Sequence, residues 1–248
     1  MIVTADDFGL TAEVNEAILE AFHRGLISTA SVMANMPGFE QACELAHEHE
    51  LTDQVGSHLV LTEGEPLSDR IRSCERFCDS EGTFRYWRGS DRALYLSPVE
   101  RTAVACELRM QILRCRDRGL HVTHLDSHHH VHNKHAIGSI VISIAQELAI
   151  PRVRLAHNAG KRMSLLNRAS KSWLNWNLRH NGLAGTRWLG GIDDYRRLRR
   201  TMSAAELDSF EIVTHPVLRE GSLVDAQHAD CSLEGVLDLV VRAPAQAL

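Results

Sequence analysis

Five histidines and an aspartate crowd residues 124–133, HLDSHHHVHN. Imidazole nitrogens and carboxylate oxygens are the ligands that borderline divalent ions such as zinc take, and the same groups carry protons near neutral pH. Other groups of the same kind stand far away in the chain. Asp6 and Asp7 follow an apolar opening in MIVTADDFGL, His58 interrupts QVGSHLVL, and His215 closes FEIVTHP just before Pro216. Neighbouring residues at a strand end face opposite ways, so the two aspartates are expected to do different jobs. One would ligate a cation and the other would take a proton from water. Within the cluster, an extended chain would put His124, Asp126 and His128 on one face, whereas a helical turn would pair His128 with His132. His215 is a candidate general acid. Plainer uses exist for each: aspartates cap turns, and a lone histidine in an apolar strand is commonly a packed core residue. Residue types alone leave open which aspartate, and which histidine of the cluster, would bind an ion.

Short apolar runs alternate with longer segments of helical period, the pattern of an α/β fold with a mainly parallel sheet. Strands are expected at MIVTA, TASVMANM, QVGSHLVL, HVTHLDSH, PRVRLA and FEIVTHP. Helices are expected between them: one from the Thr11 cap to the Gly25 stop, one opened by Pro37, one opened by Ser97 and Pro98 and stopped at Gly119, and one over about 134–149. Residues 62–96 break this rhythm and read as a long excursion with a hairpin at Glu81-Gly82. Long loops in compact folds commonly form lids or binding walls. A basic stretch over 161–188 carries Trp173, Trp176 and Trp188 and reads first as an amphipathic helix packing its tryptophans on the core. Asp6, Asp7, His58 and the histidine cluster then all fall at strand ends, where the C-terminal mouth of a parallel sheet holds its active site.

Composition bounds the rest. A length of 248 residues suits a single domain over 1–248, and 44% hydrophobic with 24% charged residues is the balance of a chain with a buried core. A net charge of −5 makes nucleic acid a poor partner. No apolar run reaches the roughly 20 residues of a membrane span, and the N-terminal residues read as a strand rather than a secretion signal. The six cysteines are scattered without C-x-x-C, so a reducing cytoplasm is the expected setting.

TADDFGLTAEVNEAI, VGSHLVLTEGEPL, HLDSHHHVH and THP, in that order, make the chain resemble the YdjC-like (ChbG/HpnK) carbohydrate deacetylases. The likeness is close over roughly 1–160 and looser over 186–216, and it does not extend to the sequence after His215. It implies a distorted (β/α) barrel related to polysaccharide deacetylases, holding one divalent ion, Mg or Zn, at its mouth. By the same resemblance Asp7, His58 and His128 would be metal ligands, Asp6 the catalytic base and His215 the acid, with Asp126 orienting the ligands. The substrate implied is an N-acetylated sugar or oligosaccharide, and a homodimer is a possible assembly. The rivals are a metal-dependent phosphoesterase, which usually uses two ions, and a non-catalytic metal- or carbohydrate-binding protein.

Overall fold

The computed structural model describes residues 1–87, 95–159 and 165–235. Along the chain come β1 (Ile2–Phe8), α1 (Ala12–His23), β2 (Thr29–Val32), α2 (Phe39–Glu48), β3 (Val55–Leu59), α3 (Asp69–Arg72), α4 (Pro98–Asp117), β4 (Leu125–Ser127) and α5 (His135–Glu147). There follow α6 (Leu165–His180), β5 (Trp188–Gly191), α7 (Ile192–Leu198), α8 (Ala204–Asp208), β6 (Phe210–Thr214), β7 (Pro216–Arg219), β8 (Ser222–Asp225) and β9 (His228–Ser232). Local chemistry explains the helix starts. The Thr11 hydroxyl accepts from the Val14 N–H at 3.3 Å, and Ser97 and Glu100 form a reciprocal cap with Pro98 in the first turn.

Six strands form one parallel sheet in the order β4-β3-β2-β1-β6-β5. The sheet curls, and an extended segment completes the ring. Leu125 of β4 donates to the Arg152 carbonyl at 2.9 Å and accepts from Arg154 at 2.8 Å, while Asn158 and Ala159 donate to Leu189 of β5 at 3.2 and 3.1 Å. The expected strand over 151–156 is therefore reduced to an isolated bridge between Leu125 and Val153. Side chains replace its ladder: Asn175 bonds both the N–H (2.7 Å) and the carbonyl (3.0 Å) of Ala156, and Asn158 accepts from Leu189 at 2.8 Å. This closes a distorted α/β barrel, with Phe8, Phe39, Leu59, Leu108, Ile137 and Phe210 among the buried core.

Several expected strands are shorter: Met33 and Ala34 after β2, and Val60 and Leu61 after β3, are buried but lie outside the ladders. Strands expected over 29–36, 54–61 and 121–128 are Thr29–Val32, Val55–Leu59 and Leu125–Ser127. The hairpin at Glu81-Gly82 is present, with Gly82 at φ 81° and Cys78 bridged to Phe84. The tryptophan segment is only partly as expected. Trp173 packs on the core, Trp176 is exposed, and Trp188 opens β5; Lys161 and Arg162 lie outside the described residues. After His215 the chain forms the antiparallel sheet β7-β8-β9. Among the described residues no helix is long and apolar enough to cross a membrane.

Candidate active site

The two aspartates at the end of β1 do not alternate as a regular strand would require. Asp7 has φ 70°, and the pairing of β1 with β2 slips between Ala5 and Phe8. A left-handed residue in a strand re-aims the side chains beyond it, and such conformations cluster at functional sites. Both carboxylates consequently line one cleft, yet with separate partners. Asp6 is gripped by Arg154, Nη2 to Oδ1 at 2.7 Å and Nη1 to Oδ2 at 2.8 Å. Asp7 instead lies 3.3 Å from His58 Nε2 and 2.9 Å from His128 Nδ1. The expectation of opposite facings is corrected, and the expectation of different contacts stands.

His58, on β3, is buried at 1% exposure and turns Nδ1 to Asp126 Oδ1 at 2.7 Å and to the Ser31 hydroxyl at 3.0 Å. Burial opposes its charge, but Asp126, Asp6 and Asp7 outweigh that and raise its pKa to about 10. Burial would likewise raise Asp7, whereas the hydrogen bonds from His128 and His58 hold its carboxyl well below the usual range. The Asp7, His58 and His128 ligand atoms all lie within 4.8 Å of one another. One carboxylate and two imidazoles facing a common point suit a borderline divalent ion. A second trio, Asp6, His58 and Asp126, is equally close, but Arg154 already bonds Asp6 and sits 2.6 Å from Asp126, so its charge is met internally.

The histidine cluster adopts neither of the two expected geometries. Residues His128–Asn133 form a 3₁₀ stretch in which His129 and His130 have φ 52° and 54°. His128 alone faces Asp7; its Nε2 points outward to Glu63 at 3.0 Å. His124 is not a ligand candidate. It lies buried over Gly56, where an added Cβ would come within 2.5 Å of its ring, and desolvation drops its pKa to about 3. His132 is buried with Nδ1 2.5 Å from the Ser127 hydroxyl and is lowered to about 3 by the same cause.

Sequence reasoning passed over three groups. Arg154 is wholly buried and, besides Asp6 and Asp126, donates Nε to Glu211 Oε1 at 2.8 Å. Glu211, on β6, also accepts from Thr4 at 3.1 Å. An arginine inside the apolar run PRVRLA was the available signal, since a charge is buried only when paired. Asp225, on β8, takes the His215 N–H at 2.9 Å and lies 3.9 Å from His215 Nδ1. His215 Nε2 is 4.0 Å from Asp6 Oδ2 and 3.0 Å from the Gln227 amide. Burial opposes a charge on His215; Asp225, Asp6 and Asp7 together raise its pKa. No local signal marked Asp225.

The fold and these strand ends define an α/β barrel with a carboxylate–imidazole centre at its mouth. The YdjC-like protein family matches residues 1–242. A carbohydrate deacetylase of Brevibacillus brevis is 46% identical over 61% of this chain and 57% of its own length, so that match spans less than two thirds of the relative. One from Oceanobacillus iheyensis is 31% identical over 86% of this chain and 84% of its own. The chain belongs to the YdjC-like family. A crystal structure from Enterococcus faecalis V583, described as a cellobiose-phosphate cleavage protein, superposes with TM-score 0.69 at 24% identity, over 93% of this chain and 84% of that one, and agrees in fold.

Proposed function

We propose that this protein is a metal-dependent hydrolase that removes the acetyl group from an N-acetylated amino sugar or oligosaccharide. The observation that carries the reading is the convergence of Asp7, His58 and His128 within 4.8 Å, with Asp6 and His215 4.0 Å apart beside them. The names of the Brevibacillus and Oceanobacillus relatives support an acetylated carbohydrate as substrate. The same reading treats residues 1–248 as one domain acting in the cytoplasm.

Asp7, His58 and His128 would hold one divalent cation, Mg or Zn, whose Lewis acidity makes an amide carbonyl more electrophilic and water more acidic. Asp6, oriented by the two-pronged Arg154 contact, accepts a proton from the attacking water. The water oxygen bonds the acetamide carbon and the C–N bond breaks. His215, which its carboxylate neighbours favour in the protonated form, gives a proton to the departing nitrogen. Acetate and a free amino sugar separate. Asp126 fixes the His58 ring by holding Nδ1, leaving Nε2 toward Asp7.

Acetate release from a panel of N-acetylated mono- and oligosaccharides, with the protein loaded by one divalent ion, tests the reading. Turnover that disappears on chelation is expected; a metal-loaded protein that releases no acetate from any member would overturn it. Metal affinity unchanged in Asp7→Ala and His58→Ala would point instead to a store built on the histidine run. One observation favours a second reading: Glu63, His128 and His129 form an outer trio that shares His128 with the first. Two ions per chain together with phosphatase turnover would establish a two-metal phosphoesterase.

A further inference from the structure

Beside the Asp7–His58–His128 centre, Glu63, His128 and His129 bring one carboxylate and two imidazoles within 4.8 Å of one another. No step of acetamide hydrolysis employs Glu63 or His129. Backbone geometry nevertheless aims them. Consecutive side chains of an extended chain face opposite ways, which would turn His129 away from His128. With His129 and His130 at φ 52° and 54°, the His128 and His129 rings lie 3.9 Å apart between centroids, and both line the reaction cleft. Left-handed residues other than glycine persist only where the surrounding structure enforces them, and they cluster at ligand sites.

Glu63 is held from behind by α4. Gln111 bonds both the N–H and the carbonyl of Val60, at 2.8 and 2.7 Å, while Glu107 accepts from the Leu67 and Ser68 N–H groups at 3.1 and 2.7 Å. These two side chains are wholly buried and joined to each other at 2.7 Å, so the segment from Val60 to Ser68 is clamped at both ends. Between the clamps Asn35 donates to the Glu63 and Glu65 carbonyls at 3.0 and 3.3 Å, and the Thr62 hydroxyl lies 2.9 Å from His129 Nδ1. Partners of this kind orient metal ligands and raise affinity.

His128 belongs to both trios, with Nδ1 2.9 Å from Asp7 and Nε2 3.0 Å from Glu63. A neutral imidazole that gives Nδ1 to one cation keeps its single proton on Nε2, where Glu63 accepts it. A second cation on Nε2 takes the place of that proton, which passes to water, and the ring bridges two ions. Two nitrogens and a carboxylate suit a borderline ion; magnesium, which prefers oxygen, is a poor occupant. We infer that Glu63, His128 and His129 form a second, weaker site for a borderline divalent cation such as zinc, and that an ion there inhibits by excluding the substrate. Weakness follows from Glu63 being about half exposed. Exclusion follows from space: the reaction cleft encloses about 370 Å³, near the lower end of the about 300–1,000 Å³ of small-molecule sites, so a hydrated ion on its His129 wall leaves little room for a sugar. The inhibition rests on the deacetylase reading, whereas the ion site does not.

Zinc titrated calorimetrically into the unaltered protein should fill two classes of site, one ion each, the second weaker; magnesium should fill the first alone. His129→Gln, at an exposed position, should weaken the second class by on the order of 100-fold and leave the first in place, since losing even a group that only orients a ligand costs about 10–100-fold. Glu63→Gln should act in the same sense. Acetate release then reads the inhibition. Zinc at about ten times the second dissociation constant should raise KM roughly tenfold over its value at one equivalent, with kcat nearly unchanged, and His129→Gln should abolish that rise. A single class in the unaltered protein, or a second class that survives both substitutions, would overturn the site. Two classes with KM unmoved, or with phosphatase turnover, would overturn the inhibition. Two such classes in a protein that releases no acetate defeat the deacetylase reading and keep the site.

Discussion

The mouth of the barrel has an inner and an outer half, and they are built by different rules. Within the inner half His58, Asp126, Asp6, Arg154 and Glu211 are all buried, and every charge meets another. The outer half carries His128, His129, Glu63 and Tyr86, with Glu63 about half exposed and Tyr86 edge-on to His129 at 4.8 Å between centroids. Each histidine proposed as a ligand has a carboxylate behind it, Asp126 at 2.7 Å behind His58 and Glu63 at 3.0 Å behind His128. Similar distances carry different weight. Inside, water cannot replace a lost partner; outside it can, and ion pairs there contribute little.

That contrast can be broken by measurement. The largest effect is expected for Asp6→Asn, which should lower acetate release by about 10²–10⁴-fold, the span of general acid–base catalysis, while calorimetry still finds one bound ion. Loss of the ion together with the activity would move Asp6 from base to ligand. Next comes Arg154→Met. Three carboxylates would lose their cation, and thermal or denaturant unfolding should show about 3–5 kcal/mol less stability, the range for breaking a buried pair. A change below about 1 kcal/mol, the usual worth of an exposed pair, would mean that the inner half is wetter than its burial implies.

Asp126→Asn should weaken metal affinity by about 10–100-fold, because it frees the His58 ring from its orienting acceptor. Acid should then reveal the neutral histidines beneath the site, His124 and His132. His124 has a folded pKa near 3, below its unfolded value of about 6.5, so its contribution is complete above that value and is lost as pH falls toward 3. At pH 5.5 the loss is on the order of 1 kcal/mol, and His124→Leu should flatten the melting curve's pH dependence between 7 and 5.5 by about that amount. Smallest of all is Glu63→Gln, expected to change affinity for the inner ion by no more than about fivefold, the worth of an exposed pair. If it matched Asp126→Asn in a competition titration, the difference between inner and outer halves would vanish.

How far the site was legible depends on where its information lies. Asp6, Asp7, His128 and His215 stand at the ends of apolar runs and His58 interrupts one, and a polar ligand-type residue in such a place is a local signal. The caps at Thr11 and Ser97 are equally local, and both formed as expected. Arg154 acquires its role from Asp6, 148 residues away, and from Glu211, 57 residues away, so nothing within its own run displays those partners. The 3₁₀ turn at His128–Asn133 escaped a choice between strand and helix because consecutive left-handed residues belong to neither period.

Order and chemistry of the motifs determined the family and the set of groups able to bind an ion, since residue type dictates which atoms can ligate or move protons. Tertiary structure decided which of them share a point in space. The left-handed Asp7 turned both aspartates into one cleft, and ring closure through residues 152–159 drove Arg154 among three carboxylates. Both depend on a buried, low-dielectric mouth, where a charge persists only beside its counter-charge.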